Sequence, residues 1–301
     1  MFVKAERKRA KLKIGMTGPS GSGKTYSGLL LAKGIASKIA VIDTENGSAS
    51  LYADRFNFDV IDLTPPFTTE KYIDAIKLAE KEKYEIVLID SISHAWAGEG
   101  GLLEQKEQLD SRGRGNSYTN WADITKKHEK FKAALLHADI HLIATMRSKQ
   151  DYVVSPDDKG KMTPKKVGLA PIQRDGMEYE FTTVFDIAMN HEAEASKDRT
   201  GLFTDKIFKI TEETGQQFKQ WLLTAAIPKP STQQLDTLYK IVKTQEWPAE
   251  EISKLIEMKT GKTSSKELNI EEYTIVLEYL LKNPKKKDSS EKPLQDEMSQ
   301  V

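Results

Sequence analysis

Between residues 12 and 225 the chain alternates short apolar runs with stretches whose apolar residues recur at helical spacing. Leu12 to Thr17 is the first run and Tyr26 to Ser37 the first helical stretch. IAVIDTE, residues 39–45, is a β-branched run that ends in acids. A helical pattern from Thr68 to Lys83 precedes EIVLIDS at 85–91, and another from Ala122 to His137 precedes HLIATM at 141–146. Thr183 to Met189 and Lys206 to Ile210 complete the expected strands. This alternation predicts an α/β domain over residues 12–225, with a doubly wound, mostly parallel sheet that takes ligands at the carboxyl ends of its strands.

Two stretches, Ala97 to Asn120 and Ser148 to Ala170, carry no regular pattern and are long for loops in a compact domain. Loops of that length are functional or disordered as a rule, and each follows a strand whose end should face a ligand. AAIPKPS at 225–231 is punctuated by proline and places a linker at 226–231. Beyond it, apolar positions at 3-to-4 spacing predict three amphipathic helices in a small domain over 232–283. Pro248 suits a first helical position, and Asn269 with Glu272 resembles a capping pair. Pro284 to Val301 is charged and aperiodic, and is expected to be disordered.

The chain has 301 residues, 38% of them hydrophobic and 30% charged, with a formal net charge of 0. Any affinity for nucleic acid must therefore come from local patches. Three runs offer one: a basic N-terminal arm over residues 1–11, the group Lys159, Lys161, Lys165 and Lys166, and Lys285 to Lys287. Each suits a solvated face as well as it suits a phosphate contact surface. With no cysteine there is neither disulfide nor thiolate zinc site. No apolar run approaches the about 18 residues of a membrane helix, and Met1 to Lys13 is broken by charge where a signal peptide would be apolar. The expectation is a cytoplasmic protein without membrane contact.

GPSGSGKT at 18–25 satisfies the phosphate-binding loop spacing at every required position and lies between a strand and a helix. Its backbone, from Gly18 through Pro19, Ser20, Gly21 and Ser22 to Gly23, would curl around the phosphates of ATP, and Lys24 would bridge the β- and γ-phosphates. Thr25 would ligate Mg²⁺, and Tyr26 opens the helix beside the nucleotide. Asp90, closing the apolar run Ile86 to Ile89, fits the second acid that holds the metal through its water shell. Hydrolysis also needs a base for the attacking water. Ser91 follows Asp90, so a glutamate is absent there, and Glu45 at the tip of the neighbouring strand takes that role. The five histidines suggest no further metal, since His141 should start a strand and so breaks any helical pairing with His137.

IDTENGSASLYAD and VLIDSIS resemble the glutamate and metal-aspartate segments of the RecA-like recombinase and hexameric helicase superfamily. That resemblance implies a RecA-like fold over residues 12–225. It also implies a polar sensor after the 141–146 strand, where this sequence has Thr145 and Arg147 in place of the recombinase glutamine. KDRTGLF at 197–203 looks like the element that inserts cations into a neighbouring subunit's γ-phosphate site, so Lys197 and Arg199 would act between subunits of a homo-oligomer. SISHAWAGEGG, NSYTNWADIT, ATMRSKQDYV and APIQRDGMEYEF look like the phage-encoded ATPases of single-strand annealing and recombination, the Sak-four type. For that type the resemblance implies single-stranded DNA as partner, and a single-strand-binding or annealing protein as a further one.

The two long stretches are the candidate DNA surfaces. Arg112, Arg114, Lys159, Lys161, Lys165 and Lys166 can neutralise phosphates, while Tyr118 and Trp121 can stack on bases or pack beneath the loop. Two other functions stay open on residues alone: a small-molecule kinase with Arg112 and Arg114 in its lid, and a nucleotide-dependent adaptor that docks a partner through its C-terminal helices.

Overall fold

The computed structural model describes residue 7 and residues 9–113, 116–156 and 162–285, with the backbone alone described over 150–156 and 162–168. Arg114, Lys159, Lys161 and the tail from 286 onward lie outside the described residues. Two compact units emerge, Ala10–Thr224 and Met1–Arg9 with Ala225–Val301.

In the larger unit, strand β1 (Lys13–Gly18) leads through a tight loop into helix α1 (Lys24–Ile35), followed by β2 (Ile39–Asp43) and β3 (Asp59–Asp62). Helix α2 (Thr69–Lys81) precedes β4 (Ile86–Asp90), and α3 (Ser93–Ala97), α4 (Leu102–Ser111) and α5 (Ser117–His137) come before β5 (His141–Pro156). Strands β6 (Met162–Pro171), β7 (Thr183–Ile187), β8 (Glu192–Asp198) and β9 (Ile207–Lys209) then lead to α6 (Glu212–Leu223). The strands line up as β3-β2-β4-β5-β1-β7-β8-β9, with β6 paired to β5 alone. From β3 to β7 every pairing is parallel, and β8 and β9 close the edge antiparallel. The fold is thus the α/β, mostly parallel sheet that the alternation predicts.

The apolar runs are continuous because both faces of the sheet are covered. Side chains alternate between two cores with a period of two. Ile86 and Leu88 join Ile14, Met16 and α1 on one face, while Val87 and Ile89 join Leu142, Ala144, α2 and α5 on the other. Register aligns the carboxyl ends: Gly18 lies opposite Arg147, Asp43 opposite Asp90, and Ile89 opposite Ala144. At the amino ends the buried Lys13 ammonium donates to the Ala138 and Ile140 carbonyls, in the connection that leads from α5 into β5.

The structure corrects several expectations. Ala97 to Asn120 is no loop: it holds α4 and the first turn of α5, capped reciprocally by Asn116 and Thr119. Leu102 is the one buried residue of α4, so that helix has no apolar stripe to betray it in the sequence. Ser148 to Ala170 is also no loop, because β5 runs on past the sheet and pairs with β6 as an antiparallel hairpin, bulged between Asp151 and Tyr152. Strands β3 and β8 escaped the pattern because they are edge-side, largely unburied and rich in acid. Helix α1 begins at Lys24, two residues before the expected Tyr26.

In the smaller unit α7 (Thr232–Thr244), α8 (Ala249–Thr260) and α9 (Ile270–Lys282) enclose a core of Leu238, Leu255, Ile256, Tyr273, Val276 and Leu280. Asn269 and Glu272 form the capping box of α9, and Pro248 is the residue before α8 rather than its first. Arg9, from the basic arm, pairs its amide with the Ala226 carbonyl and its guanidinium with Glu271 at 2.8 Å. No helix among the described residues is long and apolar enough to cross a membrane.

Helices α1 and α6 cross at Gly34 and Gly215, where a Cβ on Gly34 would stand 2.1 Å from the Glu212 carbonyl oxygen and 2.8 Å from Gly215 Cα. Gly34→Ala gains about 1 kcal/mol of helix propensity. The obstacle is backbone on both counts, so overpacking of about 1–3 kcal/mol outweighs that gain. Urea denaturation should show a lower midpoint for Gly34→Ala, and an unchanged or raised midpoint would refute the close crossing.

Candidate functional site

A cleft of about 710 Å³ opens at the carboxyl ends of β1, β2, β4 and β5. Its floor is the loop between β1 and α1. Gly23 caps α1 with φ 88°, a left-handed conformation that a side chain disfavours. A Cβ on Gly18 would meet Ser22 Oγ at 2.5 Å and the Ile187 carbonyl at 2.6 Å. The chain therefore curls in a radius that only glycine permits at these points. Lys24 folds over the curl and donates from Nζ to the Gly18 and Pro19 carbonyls at 2.9 and 2.8 Å. Burial lowers its pKa, while Asp90 and Glu45 support the charge.

Asp90 ends β4 and is 2% exposed. Thr25, on the first turn of α1, donates to its Oδ2 at 2.5 Å, and Thr145, inside β5, donates to its Oδ1 at 2.5 Å. Burial raises the Asp90 pKa and the two hydroxyls lower it, with burial the larger effect. One carboxylate thus joins the helix after the loop to two central strands. A hydroxyl and a carboxylate side by side at the mouth of an anion cradle suit a hard cation beside phosphate, in type and in placement.

The profile of the AAA domain family matches residues 10–220. The chain belongs to that family. No curated protein matches it at a significant level. The domain is a P-loop nucleotide-binding domain of the ATPase type, and in this AAA domain Ser91 follows Asp90 while Glu45 stands at the end of the neighbouring strand.

Glu45 follows β2 and is positioned by the residues before it. Asp43 accepts from the Glu45 and Ala49 amides at 2.6 and 2.8 Å, which fixes the turn. Thr44 ties this turn to β4: its amide donates to the Asp90 carbonyl at 2.7 Å, and its hydroxyl accepts from the Ser91 amide at 2.8 Å. Glu45 Oε1 then accepts from Ser91 Oγ at 3.1 Å and from Arg147 Nε at 2.7 Å, while Oε2 pairs with Arg147 Nη2. Burial alone would raise the Glu45 pKa, and the Arg147 guanidinium with His94 and the Ser91 hydroxyl together outweigh it, so the carboxyl sits below its ordinary range. His94 faces the same carboxylate with its own pKa lowered by burial, and its ring stacks on Phe67 at 4.8 Å.

Arg147 also stands at the root of the β5–β6 hairpin of this AAA domain. Its amide donates to Ser93 Oγ at 2.9 Å and its carbonyl accepts from Ile172 at 2.6 Å, while Gln173 donates to the Ile92 carbonyl at 3.1 Å. Both legs of the hairpin are therefore fastened to the two residues after Ser91.

Lys197 and Arg199 do not join this site within the chain. Lys197 pairs with Val184 and Asp198 with Thr183, which is level with Ile14, four residues or about 13 Å short of Gly18. There both cations meet the Tyr179 carbonyl. Of the residues expected at DNA, Arg112 ends α4, Lys165 and Lys166 lie on β6 opposite Val153 and Tyr152, and Tyr118 is 83% exposed on α5. Trp121 stacks on Trp96 at 6.3 Å with Lys106 over it, so packing is what occupies its face. The sequence reading missed Tyr52, Arg55, His191 and Lys209, which line the cleft. Tyr52 lies 5.4 Å from Tyr26, ring to ring, and its signal was only a lone aromatic seven residues after Glu45.

Because Asp90 is ionised at a cost, its raised pKa means that stability falls as pH climbs from the ordinary value of 3.8 through the raised one. Asp90→Asn removes that cost and keeps an acceptor for a threonine hydroxyl. Thermal melts should place the variant above wild type at neutral pH, with the advantage shrinking in acid. A variant less stable than wild type at every pH would show that the carboxylate holds the site together on balance.

Proposed function

We propose that this protein binds and hydrolyses ATP with Mg²⁺, as a homo-oligomer that engages single-stranded DNA in phage recombination or annealing. The observation that carries the hydrolytic reading is the Thr25–Asp90 pair at the mouth of the loop. Thr25 and Asp90 would hold the Mg²⁺, which when bound neutralises phosphate charge. Lys24 would exchange the loop carbonyls for β- and γ-phosphate oxygens, which are stronger, charged acceptors. Glu45 would take a proton from the attacking water as the new O–P bond forms and the bond to the bridging oxygen breaks, leaving ADP and phosphate. For that step the guanidinium of Arg147 must move off the Glu45 carboxylate, as a γ-phosphate nearby would draw it to do.

The DNA reading is supported by the placement of the lysine-bearing hairpin directly after Arg147, and by the resemblance to the Sak-four type. ATPase assays with and without single-stranded DNA test it. DNA-stimulated phosphate release is expected in wild type, Glu45→Gln should bind ATP yet lose hydrolysis by 100-fold or more, roughly the worth of a general base, and alanine at Lys159, Lys161, Lys165 and Lys166 should weaken single-stranded DNA binding, flatten its salt dependence and reduce any stimulation. Phosphate transfer to a small acceptor would instead mark a kinase, and binding without turnover an adaptor.

The oligomeric reading is supported by Lys197 and Arg199 being out of reach of their own cleft. In a shared site either cation would stabilise transition-state charge on a neighbour's nucleotide. Arg199→Ala and Lys24→Ala proteins, each inactive, should regain part of the activity when mixed. Demonstrably mixed oligomers without rescue would count against it.

A further inference from the structure

The turn between β7 and β8 lies against the outer side of the phosphate-binding loop at successive points. The Ile187 carbonyl is beside Gly18, the Met189 methyl beside Gly21, and the His191 ring beside Gly23, where a Cβ would stand 3.2 Å from Nδ1. His191 closes the turn by donating its amide to the Ala188 carbonyl at 2.9 Å, and its φ of 66° lies in the left-handed region. Few residues with a Cβ adopt that conformation, and such outliers point to a role for the side chain they aim. Here the side chain reaches the loop: Nδ1 is 3.0 Å from the Ser22 carbonyl oxygen. A carbonyl can only accept, so Nδ1 carries the proton and donates. The same residue lines the cleft.

We propose that His191 is a positioning residue of the nucleotide site, holding the Ser22 carbonyl so that the loop is shaped for phosphate before nucleotide arrives. This rests on the nucleotide-binding reading. The loop needs such a clamp. Gly21 and Gly23, with φ of 82° and 88°, have more freedom to lose than any other residue, and Ser22 Oγ is buried with no hydrogen-bond partner among the described residues. A loop held in its binding shape spends less of its interaction energy on ordering, which is read as affinity. The clamp touches neither Glu45 nor Asp90, so the chemical step on bound nucleotide is left alone.

Three substitutions separate the hydrogen bond from the backbone. His191→Asn keeps a donor and tolerates a left-handed φ, His191→Gly keeps the backbone and loses the donor, and His191→Ala loses both. Binding of the non-hydrolysable analogue AMP-PNP with Mg²⁺ to the full chain is measured beside thermal melts and steady-state ATPase. His191→Gly should bind about fivefold more weakly, the net worth of one hydrogen bond or about 1 kcal/mol, with a melting temperature above that of His191→Ala because glycine relieves the left-handed φ. Its KM should rise with kcat unchanged, and His191→Asn should stay within about twofold of wild type on that scale. His191→Ala should be both weak and less stable. Wild-type affinity in His191→Gly, or an Asn variant as weak as Gly, overturns the proposal. A wild-type protein that binds no AMP-PNP overturns the nucleotide reading as well, whereas normal wild-type binding with an unaffected Gly variant overturns this one alone.

Discussion

One buried carboxylate ties the working end of the molecule together. Asp90 accepts hydroxyl hydrogens from Thr25 on one side and Thr145 on the other, and its backbone carbonyl takes the Thr44 amide. Helix α1, strand β5 and the turn after β2 thus all register on one residue. Desolvating that charge works against the folded state, and the two hydroxyls return only part of the loss. A group kept in so unfavourable a place is set there by the sheet around it, whose parallel strands β2, β4, β5 and β1 present their ends at one level.

Legibility followed burial. Strands covered on both faces wrote themselves as unbroken apolar runs, and the loop after β1 as a glycine spacing, so the edge carrying Lys24, Thr25, Glu45 and Asp90 could be located from the sequence. Elements that bury little left no such trace. Helix α4 puts Leu102 alone in the interior, β3 is exposed throughout, and the outer half of β5 pairs with β6 beyond the layers of helices. Their hydrogen bonds are made by backbone, which any sequence supplies, so periodicity is silent.

The site's third dimension was hidden for another reason. Arg147 and Glu45 are 102 residues apart, and nothing local says that a strand-end arginine will lie across a strand-end glutamate rather than point to solvent. The pairing follows from strand order, which sets β2 two places from β5 with β4 between them. His191 was missed on the same grounds: an edge hairpin folds its turn back over a loop 169 residues earlier. Long-range register is written in which strands neighbour one another, and the alternation of elements leaves that order open.

The length of β5 has a mechanical meaning. Its sixteen residues run from the half-buried His141 through Thr145 and Arg147 to Pro156 without a glycine, and its base is pinned to Ser93 and Ile172. Such a strand is a rod anchored at one end, not a tether. Force applied to its outer half by anything that grips the hairpin is carried along the backbone as torque at the pins; Arg147, which both pins hold, is two residues from Thr145, and Ser93 is three from Asp90. Conversely, a movement of Arg147 too small to disturb the sheet is magnified at the far end in proportion to the length of the arm. The fold therefore has the makings of a stiff two-way transmission, whose one break in regularity is the bulge between Asp151 and Tyr152.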